Sequence, residues 1–341
     1  MTSVVDVRLA GVETHYLSQP KDINMRLPRG ITGCVGFLAH DEPVIKYGGT
    51  AFLVGIKQDN DPDRTFLHLV TAAHNAEAIE DGPWVLGMNG RDGGKILVRS
   101  GDDMRWWYHP TDKKHVDVAV TIFSTPKLKD YDLGWVPVEM FLSDERIAQS
   151  NIGIGDEISI VGLFTRFSGK YTHEAIARIG NIAMMPKEPV PVKDYGPMEA
   201  YLAEGRSIGG LSGSPVFVRE TVNNAAVDAK GNRYPCLGHG KIHFLGMMQG
   251  HWDVPLDFKT TEQEEAVNMG ISIVVPAKKI LEVLFHPELI EMRKKFEDDL
   301  TAENAPVQDS LLKRKAKTEP ITRADFEDVL KKVSRKIAPK N

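Results

Sequence analysis

Three separated stretches carry side chains that could perform acyl-transfer chemistry together. FLHLVTAAHNA (66–76) ends a β-type run on His74, HVDVAVTIF (115–123) starts one at Asp117, and GGLSGSPVF (209–217) holds Ser212 in a glycine-flanked turn. A serine hydroxyl at its ordinary pKa is a poor nucleophile, so a neutral imidazole must accept its proton as it attacks. The imidazole can do so only when its other ring nitrogen is held in the right tautomer, and a carboxylate supplies that hold. Gly210 and Gly213 have a separate task. The backbone N–H groups of Gly210 and Ser212 are expected to face a developing oxyanion, in a turn that side chains at the two glycines would obstruct.

Taken singly, each of these residues has an ordinary structural reading. A histidine at a strand end is usually a satisfied polar group, and G-x-S-G a turn. Asp112 competes with Asp117; the apolar alternation VAVTIF starting directly after Asp117 favours the latter. His239, His243 and His251, or His109 with His115, could suggest a metal, yet no cysteine or carboxylate ligand set accompanies them as a structural zinc site would need. No metal or other cofactor is expected. Trp106, Trp107 and Tyr108 read as core at the end of a barrel. Cys34, in the apolar run GITGCVGFLA, and Cys236 read as two buried thiols.

The elements that must position these groups are β-strands. From 31 to about 285 the chain alternates short runs rich in Val, Ile, Phe and Thr with Gly, Asn and Asp turns, and helical periodicity is almost absent. Parallel sheets would require interleaved crossover helices, so the body is expected to be all-β and antiparallel. KQDNDPDR (57–64), NGRDGG (89–94) and VDAKGNRY (227–234) read as hairpin loops, and the proline-rich PKEPVPVKDYGP (186–197) as a surface loop. A helix is expected after Pro276, and another from Pro287 to about Leu300. TAENAPVQDS (301–310) reads as a linker. A last amphipathic helix begins at Thr322, with Ile321 and Phe326 as a hydrophobic staple and Val329, Leu330, Val333 and Ile337 on one face.

Together these motifs resemble the trypsin-like, chymotrypsin-fold serine peptidases, with an HtrA-like flavour in GIGDEISIVGLF and IARIGNI. TAAH corresponds to the histidine motif, D-V-A-V to the aspartate strand, and G-L-S-G-S-P to the nucleophile turn; GTAFLV, FLGMMQGHW and NMGISIVVPAKKILEVL match flanking strands and the helix that closes the fold. The resemblance spans about residues 30–285. It implies two antiparallel six-stranded β-barrels with a cleft between them and a helical C-terminal extension. The divisions are an N-terminal extension (1–29), a barrel carrying His74 and Asp117 (30–128), a barrel carrying Ser212 and the oxyanion turn (129–285), and a helical basic tail (286–341). The implied activity is serine endopeptidase, with a catalytically silent or partner-gated binding protein as the alternative. Arg206 then falls at the base of the specificity pocket, with Gly250 and Gly270 on its walls, which would favour an acidic residue before the scissile bond. Leu211 stands where digestive members have an aspartate paired with a cleaved N-terminus, so no zymogen step is expected.

Composition is that of an ordinary globular protein. The 341 residues are 42% hydrophobic, 8% aromatic and 26% charged, enough to bury a sizeable core without a disulfide framework. The net charge of −5 argues against a dedicated nucleic-acid binder. It hides an asymmetry, because residues 313–341 hold ten Lys and Arg against four acids. The expected partners are a protein or peptide substrate and a docking surface for the C-terminal amphipathic helix. The opening lacks a cationic start followed by an apolar run, no stretch is apolar enough to span a bilayer, and a cytoplasmic location is expected.

Overall fold

A computed structural model describes residues 27–299 apart from 102–103, 126–127, 206–208, 221–222, 228–232, 237–239 and 256–265. The basic tail helix and Arg206 lie outside the described residues. A short helix α1 (Arg29–Thr32) precedes eight strands: β1 (Val35–His40), β2 (Gly49–Lys57), β3 (Thr65–Thr71), β4 (Trp84–Asn89), β5 (Lys95–Arg99), β6 (Trp107–Tyr108), β7 (Ala119–Ile122) and β8 (Val136–Pro137). Helix α2 (Ala73–Glu77) follows β3. These strands form one sheet in the order β5-β4-β1-β2-β3-β7-β6, with β8 added in parallel to β2.

Helix α3 (Asp144–Gln149), N-capped by the Ser143 hydroxyl, leads into the second half. There β9 (Glu157–Gly162), β10 (Ile176–Met184), β13 (Tyr201–Glu204), β14 (Pro215–Arg219), β17 (Ile242–Pro255) and β18 (Ala266–Pro276) close into an antiparallel barrel ordered β10-β13-β18-β17-β14-β9. Two hairpins stand apart from it, β11 (Val190–Val192) with β12 (Gly196–Met198) and β15 (Asn223–Val227) with β16 (Arg233–Cys236). Helix α4 (Ala277–Leu284) starts directly after Pro276, and helical residues 287–299 follow.

Side-chain alternation builds both cores. In the barrel, Ile158 and Ile160 of β9, Val216 and Val218 of β14, and Val274 of β18 share one apolar cluster. Phe217, between the two valines, points the other way and meets Phe244, whose ring centroid is 5.4 Å from that of Phe52 on β2. Phe141 packs on the same ring at 4.4 Å, so four phenylalanines join barrel to sheet. The sheet's own core holds Leu38, Leu53, Leu69 and Leu86, with Trp84 stacked on Trp106. Trp106 and Trp107 are buried, as a core reading requires.

The fold is predominantly antiparallel β; the loops at 57–64 and 89–94 separate paired strands as expected, and β15 pairs with β16 on either side of residues 228–232, which lie outside the described residues. Two readings need correction. Among the described residues, only the second half shows a closed six-stranded barrel; the first is an eight-stranded sheet in which β5 and β6 are ends. β6 has only two residues in the ladder, and β5 carries exposed Lys95 and Arg99 as edge strands often do. The proline-rich stretch, expected as a surface loop, is a two-stranded hairpin. Pro191 faces Pro197 across it, which places the two residues lacking an N–H opposite each other, where the ladder needs no donor.

The segment between β9 and β10 is fastened to the sheet by His173. Its N–H donates to Asn89 Oδ1 (2.7 Å) and its carbonyl accepts from Asn89 Nδ2 (2.9 Å). The ring lies edge-on to Phe37 and Tyr47. Burial, with the charge of Lys95 behind it, pushes the imidazole down to about 4. The unfolded chain then binds a proton that the folded one refuses, so stability is expected to fall as pH drops from about 6.5 toward 4, by on the order of 2 kcal/mol. Urea unfolding of His173→Phe across this window should show a flatter pH profile than the wild type; parallel profiles would contradict the assignment.

Candidate functional site

His74 does not end a strand. β3 stops at Thr71, Ala72 is the N-cap, and His74 is the second residue of α2. Asp117 lies two residues before β7, which pairs with β3 through Thr71 and Ala119. That pairing brings the two residues together. Asp117 Oδ2 is 2.8 Å from His74 Nδ1, and Asp117 Oδ1 accepts the His74 backbone N–H at 3.0 Å. Asp117 is fully buried, whereas the imidazole is about one-third exposed. The competitor Asp112 bonds instead to His115, at 2.7 Å.

Burial alone would lower the pKa of His74. The hydrogen bond and charge of Asp117, with Glu77 adding to them, outweigh it and hold the imidazole above its ordinary value. The sign of the linkage follows. The pair contributes stability that is fully present below about pH 6.5 and is lost as pH rises through the folded value.

Ser212 is held against the same region by its backbone. Its carbonyl accepts from Thr50 N–H on β2 (3.0 Å) and from Nδ2 of Asn75 (2.9 Å), the residue after the histidine. Asn75 Nδ2 also donates to Thr71 Oγ1, and Thr71 Oγ1 donates to the Thr50 carbonyl. Thr50 Oγ1 donates to the Gly210 carbonyl at 2.7 Å and accepts from Leu163 N–H at 2.9 Å. The serine's own hydroxyl donates to the Gln249 carbonyl at 2.8 Å. Among the described residues, no hydrogen bond joins it to His74.

The turn needs its glycines. Gly210 has φ +94° and Gly213 φ +84°, and a Cβ on Gly213 would come within 2.0 Å of the Thr50 carbonyl oxygen. Leu211 between them is fully buried in the barrel core, so packing anchors this turn. Among the described residues, the N–H groups of Gly210 and Ser212 donate to no protein acceptor. Two free donors flanking a serine can take up a developing negative charge.

The residues expected to form a specificity pocket are less closely gathered. Gly250 and Gly270 lie on the paired strands β17 and β18, and Gly270 accepts the Gly205 N–H. Gly270 and Gly205 line a cavity of about 700 Å³ that also takes in Arg178 and Glu204; none of His74, Asp117 or Ser212 lines it. Among the remaining histidines, His109 pairs with Glu282 and His243 with Glu220. Among the described residues, no three His, Cys, Asp or Glu side chains are grouped to hold a metal ion.

Two residues at the site escaped sequence reasoning. Tyr195, at the tip of the β11–β12 hairpin, places its hydroxyl 3.2 Å from His74 Nδ1. Gln249 on β17 is buried beside it. The pattern V-P-V-K-D-Y-G-P-M contained the hairpin signal, a turn pair next to glycine between short β-type runs, but nothing in it says where the tip points.

No family model matches the sequence, and a search of curated proteins finds no similar chain. Solved structures similar to this chain include protease domains. The protease domain of MamO from Magnetospirillum magneticum, in its apo form, is 12% identical with a TM-score of 0.46, over 75% of this chain and 97% of that one. The HtrA-type protease AlgW with a decapeptide is 14% identical with a TM-score of 0.43, over 77% of this chain and 66% of that one, so this chain spans just under two thirds of AlgW. The Rv3671c protease in an inactive form is 14% identical with a TM-score of 0.40, over 75% and 89%.

Thr50→Val removes one buried hydroxyl that serves both the Gly210 carbonyl and the Leu163 N–H. It is expected to cost about 1–3 kcal/mol in urea unfolding, because each group loses its partner out of reach of water. Thr50→Ser should recover most of that loss.

Proposed function

We propose that the chain is a serine endopeptidase that cleaves peptide bonds through an acyl-enzyme. The observation that carries this reading is the buried Asp117 carboxylate, bonded to His74 Nδ1 at 2.8 Å while the next residue, Asn75, holds the carbonyl of Ser212. In this mechanism the Ser212 hydroxyl leaves the Gln249 carbonyl, attacks the scissile carbonyl carbon and gives its proton to His74 Nε2. Asp117 keeps the imidazole in the tautomer whose Nε2 is free to accept, then stabilises the imidazolium. The Gly210 and Ser212 N–H groups bind the oxyanion. When the tetrahedral intermediate collapses, the amine leaves with the proton from His74. Water then attacks the acyl-enzyme, with His74 again taking the proton, and restores Ser212.

The proposal assigns His74 and Asp117 to a first unit (30–128), Ser212 to a second (129–285) and a helical basic tail to 286–341. A protein or peptide is the substrate. Arg206 at the base of a pocket walled by Gly250 and Gly270 would select an acidic residue. A cytoplasmic setting fits the sequence, with Cys34 buried as a free thiol whose pKa burial pushes up to about 12. Among the described residues, no helix is long and apolar enough to cross a membrane.

One observation favours a second reading, in which the same fold is gated by a partner. The Ser212 hydroxyl is engaged by Gln249 and not by His74. A fluorophosphonate probe decides between the two. Covalent labelling at Ser212, abolished by His74→Ala and slowed about 10³-fold or more by Asp117→Asn, is expected of the enzyme. No labelling of the wild type alone or with cell extract would leave only a binding role. The labelling rate should rise with pH as His74 loses its proton, with a midpoint above the ordinary histidine value.

A further inference from the structure

The β11–β12 hairpin brings an aromatic hydroxyl to the side of the imidazole that faces Asp117. Tyr195 Oη is 3.2 Å from His74 Nδ1, and Asp117 Oδ2 is 2.8 Å from the same nitrogen. A neutral imidazole nitrogen bonded to a carboxylate carries the hydrogen, so the Tyr195 hydroxyl cannot donate to it. The Asp117 carboxylate, bonded to that same nitrogen, also bears on the phenol.

We propose that Tyr195 is a positioning residue of the His74–Asp117 pair, its hydroxyl donating to the Asp117 carboxylate. This rests on the peptidase reading above. The tip of the hairpin is shaped for the task. Asp194 at φ +68° and Gly196 at φ +82° turn the chain sharply on either side of Tyr195, whose ring is half-buried. Val192 and Met198, one on each strand, are buried and hold the ribbon down. Burial first, then the charge of Asp117, push the phenol well above the ordinary tyrosine value, so it remains a donor at any working pH. Gln249, which also bears on this phenol, is the residue whose carbonyl engages the Ser212 hydroxyl. One residue on β17 therefore touches both the Tyr195 phenol and the Ser212 hydroxyl.

A donor to Asp117 draws charge away from the bond with His74 and makes the imidazole less basic. The titratable groups that bear on His74 are Asp117 before β7, Glu77 on its own helix and Tyr195 on the hairpin. Tyr195→Phe keeps the ring and removes only the donor. NMR titration of isotope-labelled histidine in the full chain, with His74 assigned by its absence in His74→Ala, is expected to show the His74 pKa rising by about half a unit or more in Tyr195→Phe. The acidic limb of fluorophosphonate labelling should move up with it. An unmoved or lowered His74 pKa would overturn the proposal. If Tyr195→Phe fails to fold, wild-type chain carrying 3-fluorotyrosine, a stronger donor, should instead titrate lower at His74, and an unchanged value would overturn it. The titration needs no turnover. A wild type that never labels would sink the peptidase reading and leave the titration to judge Tyr195 by itself.

Discussion

A carboxylate with no exposure to water must be paired, and Asp117 is such a group. Its two oxygens are taken by one residue, Oδ1 by the His74 backbone N–H and Oδ2 by the ring nitrogen Nδ1. The backbone bond fixes where α2 begins relative to β7, and the ring bond fixes how the imidazole turns. Losing either would leave charge buried without compensation, which costs more than an ordinary hydrogen bond is worth. The start of α2, the approach to β7 and the face that His74 presents therefore depend on one buried charge.

The serine is placed by different means. No side-chain bond links it to the histidine; a lattice of backbone carbonyls and small hydroxyls does. Thr50 and Asn75, from the sheet half, reach the carbonyls of Gly210 and Ser212 in the barrel half, and Thr71 braces both by donating to the Thr50 carbonyl and accepting from Asn75. Leu211 pins the turn from the opposite side by entering the barrel core. Behind this polar lattice, Phe52, Phe141, Phe217 and Phe244 join the halves by apolar contact. The rings supply adhesion and the hydroxyls supply register. The serine hydroxyl rests on the Gln249 carbonyl, which it can leave by rotation about one bond.

Much of this was legible in the residues. His74, Asp117 and Ser212 stood out because each sits beside an apolar alternating run and a glycine or small-residue turn, and chain order did the rest. Asp112 was separable from Asp117 by the alternation that follows the latter. The open first sheet was not legible, since whether β5 and β6 meet is decided by ladder lengths that composition does not record. Tyr195 and Gln249 were missed for a related reason. Their residue types are ordinary, and their importance lies in which distant segment they touch. A proline-rich string suggested a surface loop; two prolines placed opposite one another make a ribbon with no donor missing.

The account is tested most directly by the structure of the chain after exposure to a small fluorophosphonate. It predicts phosphorus bonded to Ser212 Oγ, the hydroxyl oxygen moved off the Gln249 carbonyl to within about 3 Å of His74 Nε2, and a phosphoryl oxygen on the Gly210 and Ser212 N–H groups. An unmodified Ser212 still bonded to Gln249, or an adduct whose phosphoryl oxygen avoids those two donors, would contradict it.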